Sequence, residues 1–312
     1  MTLKREIDLI GACFGWGAQR RESESAPELL FEGRLEDRLN HAGICSNREV
    51  IQPLLRAKDT FIPVGPKTLP LLHDMISKLS KSVRASLEKN NLPLVIGGDH
   101  SIAIGTWSAV YENLRQTSSK NNGGDMGLLW IDAHLDAHTP ETTPSKAYHG
   151  MPLAALLGYG EKSLVEHLSK NVKLQPENTF LLGVRSWEIE EYDLLKDLGV
   201  TVYTMENIRQ RSFKSCFREA VIKIESQTKS YGLTIDLDAF DPGVAPGVGS
   251  PAQNGLYPEE VFEALSGFGT RSGLMAMEIV EYNPERDREG KTMRLLEDLV
   301  HCLLVEKPGF KK

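Results

Sequence analysis

The chain has 312 residues, 40% hydrophobic and 25% charged, with a formal net charge of −7. That composition is globular, and the acidic balance argues against a nucleic-acid backbone as partner. No stretch approaches the roughly 18 uninterrupted apolar residues of a membrane span.

The start, MTLKREIDLI, lacks the apolar run of a signal peptide before its first predicted strand at residues 7–11. Residues 20–40 read as an exposed loop leading to a helix, with no assignable chemistry. A second strand is expected at 61–64, then a long segment of helical period at 69–90. Strands at 94–96 and 127–131 each run into a polar cluster, LVIGGDHS and LLWIDAHLDAH. Strands follow at 179–184 and 200–203, flanking a helix at 188–198. A helix at 213–227 leads to a strand at 232–235 that ends in LTIDLDAFDP. A helix at 258–266 precedes a strand at 274–279 ending in MEIVEYNP, and 292–305 reads as a terminal helix. Cys13, Cys45, Cys216 and Cys302 form no CxxC pair, as expected of reduced thiols in a cytoplasmic protein.

Strands alternating with helices of this length predict βαβ units. The expected fold is α/β: a single domain over residues 1–312, a three-layer αβα arrangement on a doubly wound, mostly parallel sheet of about eight strands. Ligands gather at the carboxyl ends of strands in such sheets. All four polar clusters fall at strand ends, so one shared site follows if those strands are neighbours.

Asp132, His134, Asp136 and His138 alternate, and in a strand such residues leave on the same face. Adding the other clusters, the expected donors are His100, Asp132, His134, Asp136, Asp236 and Asp238: two imidazoles, four carboxylates and no thiolate. This set suits Mn²⁺ or a related cation better than structural zinc. Four carboxylates in one pocket repel strongly unless cations offset the charge, and two divalent ions bridged by Asp132, Asp136 or Asp236 would do so. A water shared by two such ions ionises near neutral pH, which is hydrolase chemistry. Each cluster also has a plainer reading. A DxD after a strand is commonly a helix cap or turn, and Asp99 in GGDHS could simply cap a helix starting near Ser101. DAHLD resists that reading, because its charges need a partner.

The ordered motifs GGDHS, DAHLD, HGMP, DLDAFDP and EYNP resemble those of the ureohydrolases, the arginase and agmatinase family. The resemblance covers nearly the whole chain. It implies a parallel αβα fold, two manganese ions per subunit (Co²⁺ or Ni²⁺ suit the same donors) and assembly into homotrimers or hexamers. His100, Asp132, Asp136 and Asp236 resemble the ligands of one ion, and Asp132, His134, Asp236 and Asp238 those of the other. A metal-bridging hydroxide would attack a guanidinium carbon, giving urea and an amine. Glu281 resembles the carboxylate that pairs with the guanidinium, His149 the family's mobile acid/base histidine, and Asp136 a carrier of the proton to the leaving amine. By its own sequence, His149 could equally be a turn residue capping the helix after Pro152.

Substrate choice lies in other loops. In the arginase branch, an asparagine and an S-G-N run after DAHxD hold the substrate's α-carboxylate, and an aspartate after a later strand faces its α-ammonium. Here His138 takes the asparagine position, Thr143 and Ser145 remain as hydroxyl donors, Lys146 and Ala147 replace the glycine and second asparagine, and Glu188 matches the aspartate. Glu188 could also be there because helix starts favour acids, and Lys146 could be merely solvated. The resemblance thus implies L-arginine as the small-molecule guanidino substrate, cleaved to L-ornithine and urea. Competing expectations are a guanidinobutyrase, agmatinase or formiminoglutamase, or a catalytically silent regulatory member. A silent member would be expected to lose ligands, and all six are present. A single-zinc deacetylase would need fewer carboxylates.

Overall fold

The computed structural model describes residues 5–44, 46–117 and 125–305, and Cys45 lies outside them. Eight strands form one sheet: β1 (Ile7–Ala12), β2 (Ser46–Ile51), β3 (Leu92–Gly97), β4 (Met126–Ile131), β5 (Thr179–Val184), β6 (Thr201–Thr204), β7 (Ser230–Asp236) and β8 (Leu274–Val280). Their order is β2-β1-β3-β8-β7-β4-β5-β6, and every ladder is parallel.

Strands β3, β4 and β5 (LPLVIG, MGLLWI and TFLLGV) are buried at every position, because helices cover both faces. Their side chains alternate between two cores. Leu94, Ile96, Leu129 and Ile131 join one, packed under the helices Ala26–Glu32, Phe213–Gln227, Pro258–Leu265 and Lys291–Leu304. Val95, Leu128 and Trp130 join the other, under Leu69–Glu88 and Ala103–Thr117. The expected three layers and eight strands are therefore present.

Two expectations fail. Residues 61–64 form no strand, and Phe61 is 82% exposed. The missing strand is β2, whose sequence SNREVI carries three successive exposed polar residues. It lies at the sheet edge, where solvent takes the place of a packing partner, so it shows no apolar run. The segment 20–40 is not an exposed loop leading to one helix. It holds two helices, Ala26–Glu32 and Leu35–His41, with Ala26, Leu30, Leu35 and Leu39 fully buried. The helix Ala103–Thr117 also escaped detection as a periodic segment, because it is buried almost all round and shows no polar face.

The order of the strands positions the site. β3, β8, β7 and β4 are consecutive neighbours. Their carboxyl ends carry, in turn, His100, Glu281, the Asp236/Asp238 pair and the Asp132–His138 run. Four segments remote in sequence thus meet at one sheet edge, as the crevice rule requires.

Candidate metal centre and active site

His100 is the hub of the first donor set. Its Nδ1 lies 3.1 Å from Asp132 Oδ2, 2.9 Å from Asp136 Oδ2 and 3.3 Å from Asp236 Oδ2. Nδ1 makes a well-directed hydrogen bond to none of them, and Asp136 Oδ2 is likewise buried and unmet. In the second set, His134 Nδ1 lies 3.1 Å from Asp238 Oδ2 and 3.6 Å from Asp132 Oδ1. Two groups therefore have donor atoms all within 4.8 Å of one another: His100–Asp132–Asp236 and Asp132–His134–Asp238. Asp132 belongs to both. His100 Nδ1 and Asp136 Oδ2, buried 2.9 Å apart without a hydrogen bond, are donors that a bound cation would satisfy.

The local backbone aims these groups. The Asp238 amide donates to Asp236 Oδ1 at 2.7 Å, and the His134 amide to Asp132 Oδ1 at 2.7 Å. Each aspartate thus closes a short turn with Oδ1, so the capping reading of the DxD motif is present, and Oδ2 of each lies near His100 Nδ1. Asp99 does cap the turn after β3, its side chain accepting from the Ser101 amide. Asp136 and Glu281 have φ values of 50° and 67°, a left-handed conformation that non-glycine residues adopt at a cost of about 1–3 kcal/mol.

The electrostatics follow from burial. Desolvation, reinforced by the neighbouring carboxylates, raises Asp236 well above the usual range and raises Asp238. Desolvation and Asp132 likewise push Asp136 up to about 6. Burial would also raise Asp132, but His100 and His134 overcome it and hold this carboxyl low. Of the four carboxyls, the shared one is thus the one whose acidity its histidine neighbours increase on balance.

Sequence reasoning passed over three supporting residues. Trp130 stacks on the His100 ring at 4.3 Å and donates to Asp132 Oδ2 at 2.9 Å. His100 Nε2 meets Thr234 Oγ1 at 3.1 Å, and Thr234 donates to Glu278 Oε1 at 3.0 Å. That relay makes Nε2 the protonated nitrogen and turns the Nδ1 lone pair toward the aspartates. The signal for Glu278 was present in LMAMEIV, a carboxylate inside an apolar strand, which must have a polar partner when fully buried.

Glu281 and His149 sit beside the centre. Glu281 Oε1 accepts from the His100 amide at 2.9 Å and meets His149 Nδ1 at 3.0 Å. Oε2 is buried without a hydrogen bond. A Cβ at Gly249 would approach that oxygen to 3.3 Å, so a larger residue there would crowd it. Burial lowers the basicity of His149, but Glu281 more than compensates and carries it up to about 9. His149 is not a helix cap: no side-chain cap is made to the helix Pro152–Leu156.

The Arginase family model matches residues 5–305. The chain belongs to the arginase family. It is 34% identical to the arginase of Bacillus caldovelox over 315 aligned residues, covering 97% of this chain and 99% of that protein. It is 33% identical to the arginase of Bacillus subtilis, with 98% and 99% covered. A crystal structure of Bacillus subtilis arginase superposes with a TM-score of 0.87 at 32% identity, covering 97% of this chain and all of that one. Membership makes the protein a metal-dependent hydrolase. Among the described residues no helix is long and apolar enough to cross a membrane.

The loop after Asp136 meets the start of the helix Ile189–Leu198. His138 does not stand free. Its Nε2 lies 3.1 Å from Glu188 Oε2 and 3.3 Å from Glu191 Oε2, and its Nδ1 is 3.1 Å from Thr142 Oγ1. Glu191, unnoticed in the sequence, is buried and accepts from the amides of Ala137 and Glu188, tying the two loops together. Thr143 Oγ1 accepts from the Lys146 amide and Ser145 Oγ from the Ala147 amide, and the two hydroxyls share one hydrogen bond at 3.3 Å, which leaves one hydroxyl proton of the pair to donate. Lys146 is at φ 59°, the left-handed region that glycine enters freely and a lysine only at a cost.

Proposed function

We propose that residues 1–312 form one catalytic domain that hydrolyses L-arginine to L-ornithine and urea with two Mn²⁺ ions. The observation that carries this is the pair of three-donor groups sharing Asp132, next to a buried carboxylate oxygen of Glu281 with no hydrogen bond of its own. His100, Asp132, Asp136 and Asp236 would hold one ion, and Asp132, His134, Asp236 and Asp238 the other. Co²⁺ and Ni²⁺ suit the same donors. When bound, such ions would lower the pKa of a water and supply a hydroxide nucleophile near neutral pH.

The protein's own groups do the rest. Glu281 pairs with the planar guanidinium and presents its carbon to the donor sets, a geometry a carboxylate favours. His149, steered at Nδ1 by Glu281, moves a proton at Nε2, and Asp136 delivers one to the departing amine. Water oxygen joins the guanidino carbon, one C–N bond breaks, and the amine leaves protonated. Glu188 faces the α-ammonium, and His138, Thr143 and Ser145 the α-carboxylate. Relatives named arginase at 33–34% identity support this substrate. We further propose a cytoplasmic homotrimer or homohexamer. Cys13 and Cys216, buried free thiols, fit a reducing compartment.

One observation favours a second reading. His138 already engages Glu188, so a guanidino acid without an α-ammonium, such as 4-guanidinobutyrate, would leave that pair undisturbed. Urea release from manganese-loaded protein with L-arginine, agmatine and 4-guanidinobutyrate separates the two. L-Arginine should have the highest kcat/KM, and a tenfold advantage for either of the others would defeat the arginine reading.

A further inference from the structure

Arg185, directly after β5, is bonded to both turns that carry the second donor set. Its amide and that of Ser186 donate to the Ala133 carbonyl at 2.9 and 3.0 Å, between Asp132 and His134. Its side chain crosses to the turn Leu237–Ala239, which holds Asp238. Nη2 donates to the carbonyls of Asp238, Ala252 and Phe240 at 2.7, 2.8 and 3.2 Å, and Nη1 to those of Ala239 and Gly183 at 3.1 and 3.2 Å. Nε donates to the Gln253 carbonyl at 3.0 Å. A short turn leaves its last carbonyls without partners of its own, and the planar fork takes them up.

Two further observations mark this as a built contact. None of the acceptors is a carboxylate, although an arginine beside acids ordinarily pairs with one. Burial weakens the guanidinium's hold on its proton, and Asp238, Asp132, Asp241 and Asp236 oppose that from a distance. The charge is retained, while the carboxylates stay free for a cation. The backbone also makes room for the side chain. β5 bulges at Gly183, at φ 102°, where its register with β6 shifts between Leu182 and Val184, and a bulge re-aims the side chains that follow. A Cβ at Gly255 would lie 2.6 Å from Nη2, so a side chain there would crowd the guanidinium.

We propose that Arg185 is a positioning residue for the second cation, clamping the Asp132–His134 turn to the Asp238 turn. That role rests on the two-cation reading of the site. The clamp sets the spacing of His134 and Asp238, whose facing atoms lie 3.1 Å apart. Asp132 is held independently, by Trp130 and by its amide's bond to the Leu182 carbonyl at 3.0 Å. The ion held by His100 therefore does not depend on the fork. Repulsion among Asp132, Asp236 and Asp238 acts to part the turns until an ion binds, and the fork opposes it. A lysine would keep the charge but has no rigid fork to span three segments.

The test is the affinity of each ion. Metal-stripped full-length protein is titrated with Mn²⁺, and bound metal per chain gives two dissociation constants. Arg185→Lys should weaken one ion by roughly 10–100-fold, the range for residues that support a ligand, and leave the other unchanged. In the Asp238→Ala background, where that ion is already lost, Arg185→Lys should not alter the remaining one, because the two changes act through one site. Gly255→Ala, with Arg185 intact, should reproduce the selective weakening, and it carries the test alone should Arg185→Lys fail to fold. A loss of stability alone would weaken both ions, so equal weakening overturns the clamp. Unchanged affinities in either folded variant, or a further loss in the double variant, also overturn it. Wild type that holds fewer than two ions defeats the two-cation reading and the clamp with it. Two ions in wild type, at affinities that the variants leave unaltered, defeat the clamp alone.

Discussion

His100, Asp132, Asp236 and Asp238 are almost wholly buried at the ends of adjacent strands, and Asp132, Asp236 and Asp238 are aimed by backbone amides within their own turns or across the pocket. The head-group end is built differently. Thr143, Ser145 and Lys146 lie on an irregular loop, and Glu188 extends its side chain half into solvent at a helix start. Parallel strands with both faces covered cannot shift without disturbing two cores, so the metal end tolerates almost no variation. The loop is free to change residues while the scaffold holds. Chemistry common to a family belongs on the first kind of support and specificity on the second.

That contrast can be tested by substitution, and the metal end should give the largest effect. Asp238→Ala removes a carboxylate from the second donor set and should lower kcat by about 10³-fold or more, as loss of several kcal/mol of metal-derived stabilisation implies. Bound metal should fall by one ion. Near-normal turnover at saturating Mn²⁺ would remove Asp238 from the ligand set.

A smaller effect is expected one layer back. Glu278→Gln keeps the shape of the relay to His100 but removes its charge. Metal affinity should weaken by roughly 10–100-fold, with kcat largely restored at high Mn²⁺. Unchanged affinity would mean that Thr234 orients His100 unaided.

The smallest change should come from the head-group end. Glu188→Ala should raise KM for L-arginine about tenfold, with kcat altered less, the pattern of an interaction made equally in ground and transition states. A kcat loss as large as that of Asp238→Ala would erase the distinction between the two ends.

The metal end was also the more legible in sequence. Asp132, His134 and Asp136 stand two residues apart just after an apolar strand, and that alternation was the signal, although β4 itself ends at Ile131 and turns of the following backbone aim them. The other donors lie in compact motifs at strand ends. Glu191 and Trp130 carried no such mark. One looks like an ordinary acid in the first turn of a helix, the other like core, and their roles come from contacts across loops. His138 continues the DAHLDAH alternation but was expected to read the substrate's head group, and its Nε2 lies against Glu188 and Glu191, well past the end of β4 at Ile131. The edge strand β2 was missed for a related reason, since a strand exposed to solvent has no buried face to give it a pattern.

The strand–helix alternation, the donor types and their placement after apolar runs are local properties, and the sequence by itself determined them. The order in which the strands pair is a different matter, because it depends on packing between segments far apart in the chain. Only the tertiary structure brought β3, β8, β7 and β4 side by side, made Asp132 the carboxylate shared by both donor groups, and closed His138 onto two glutamates some fifty residues away.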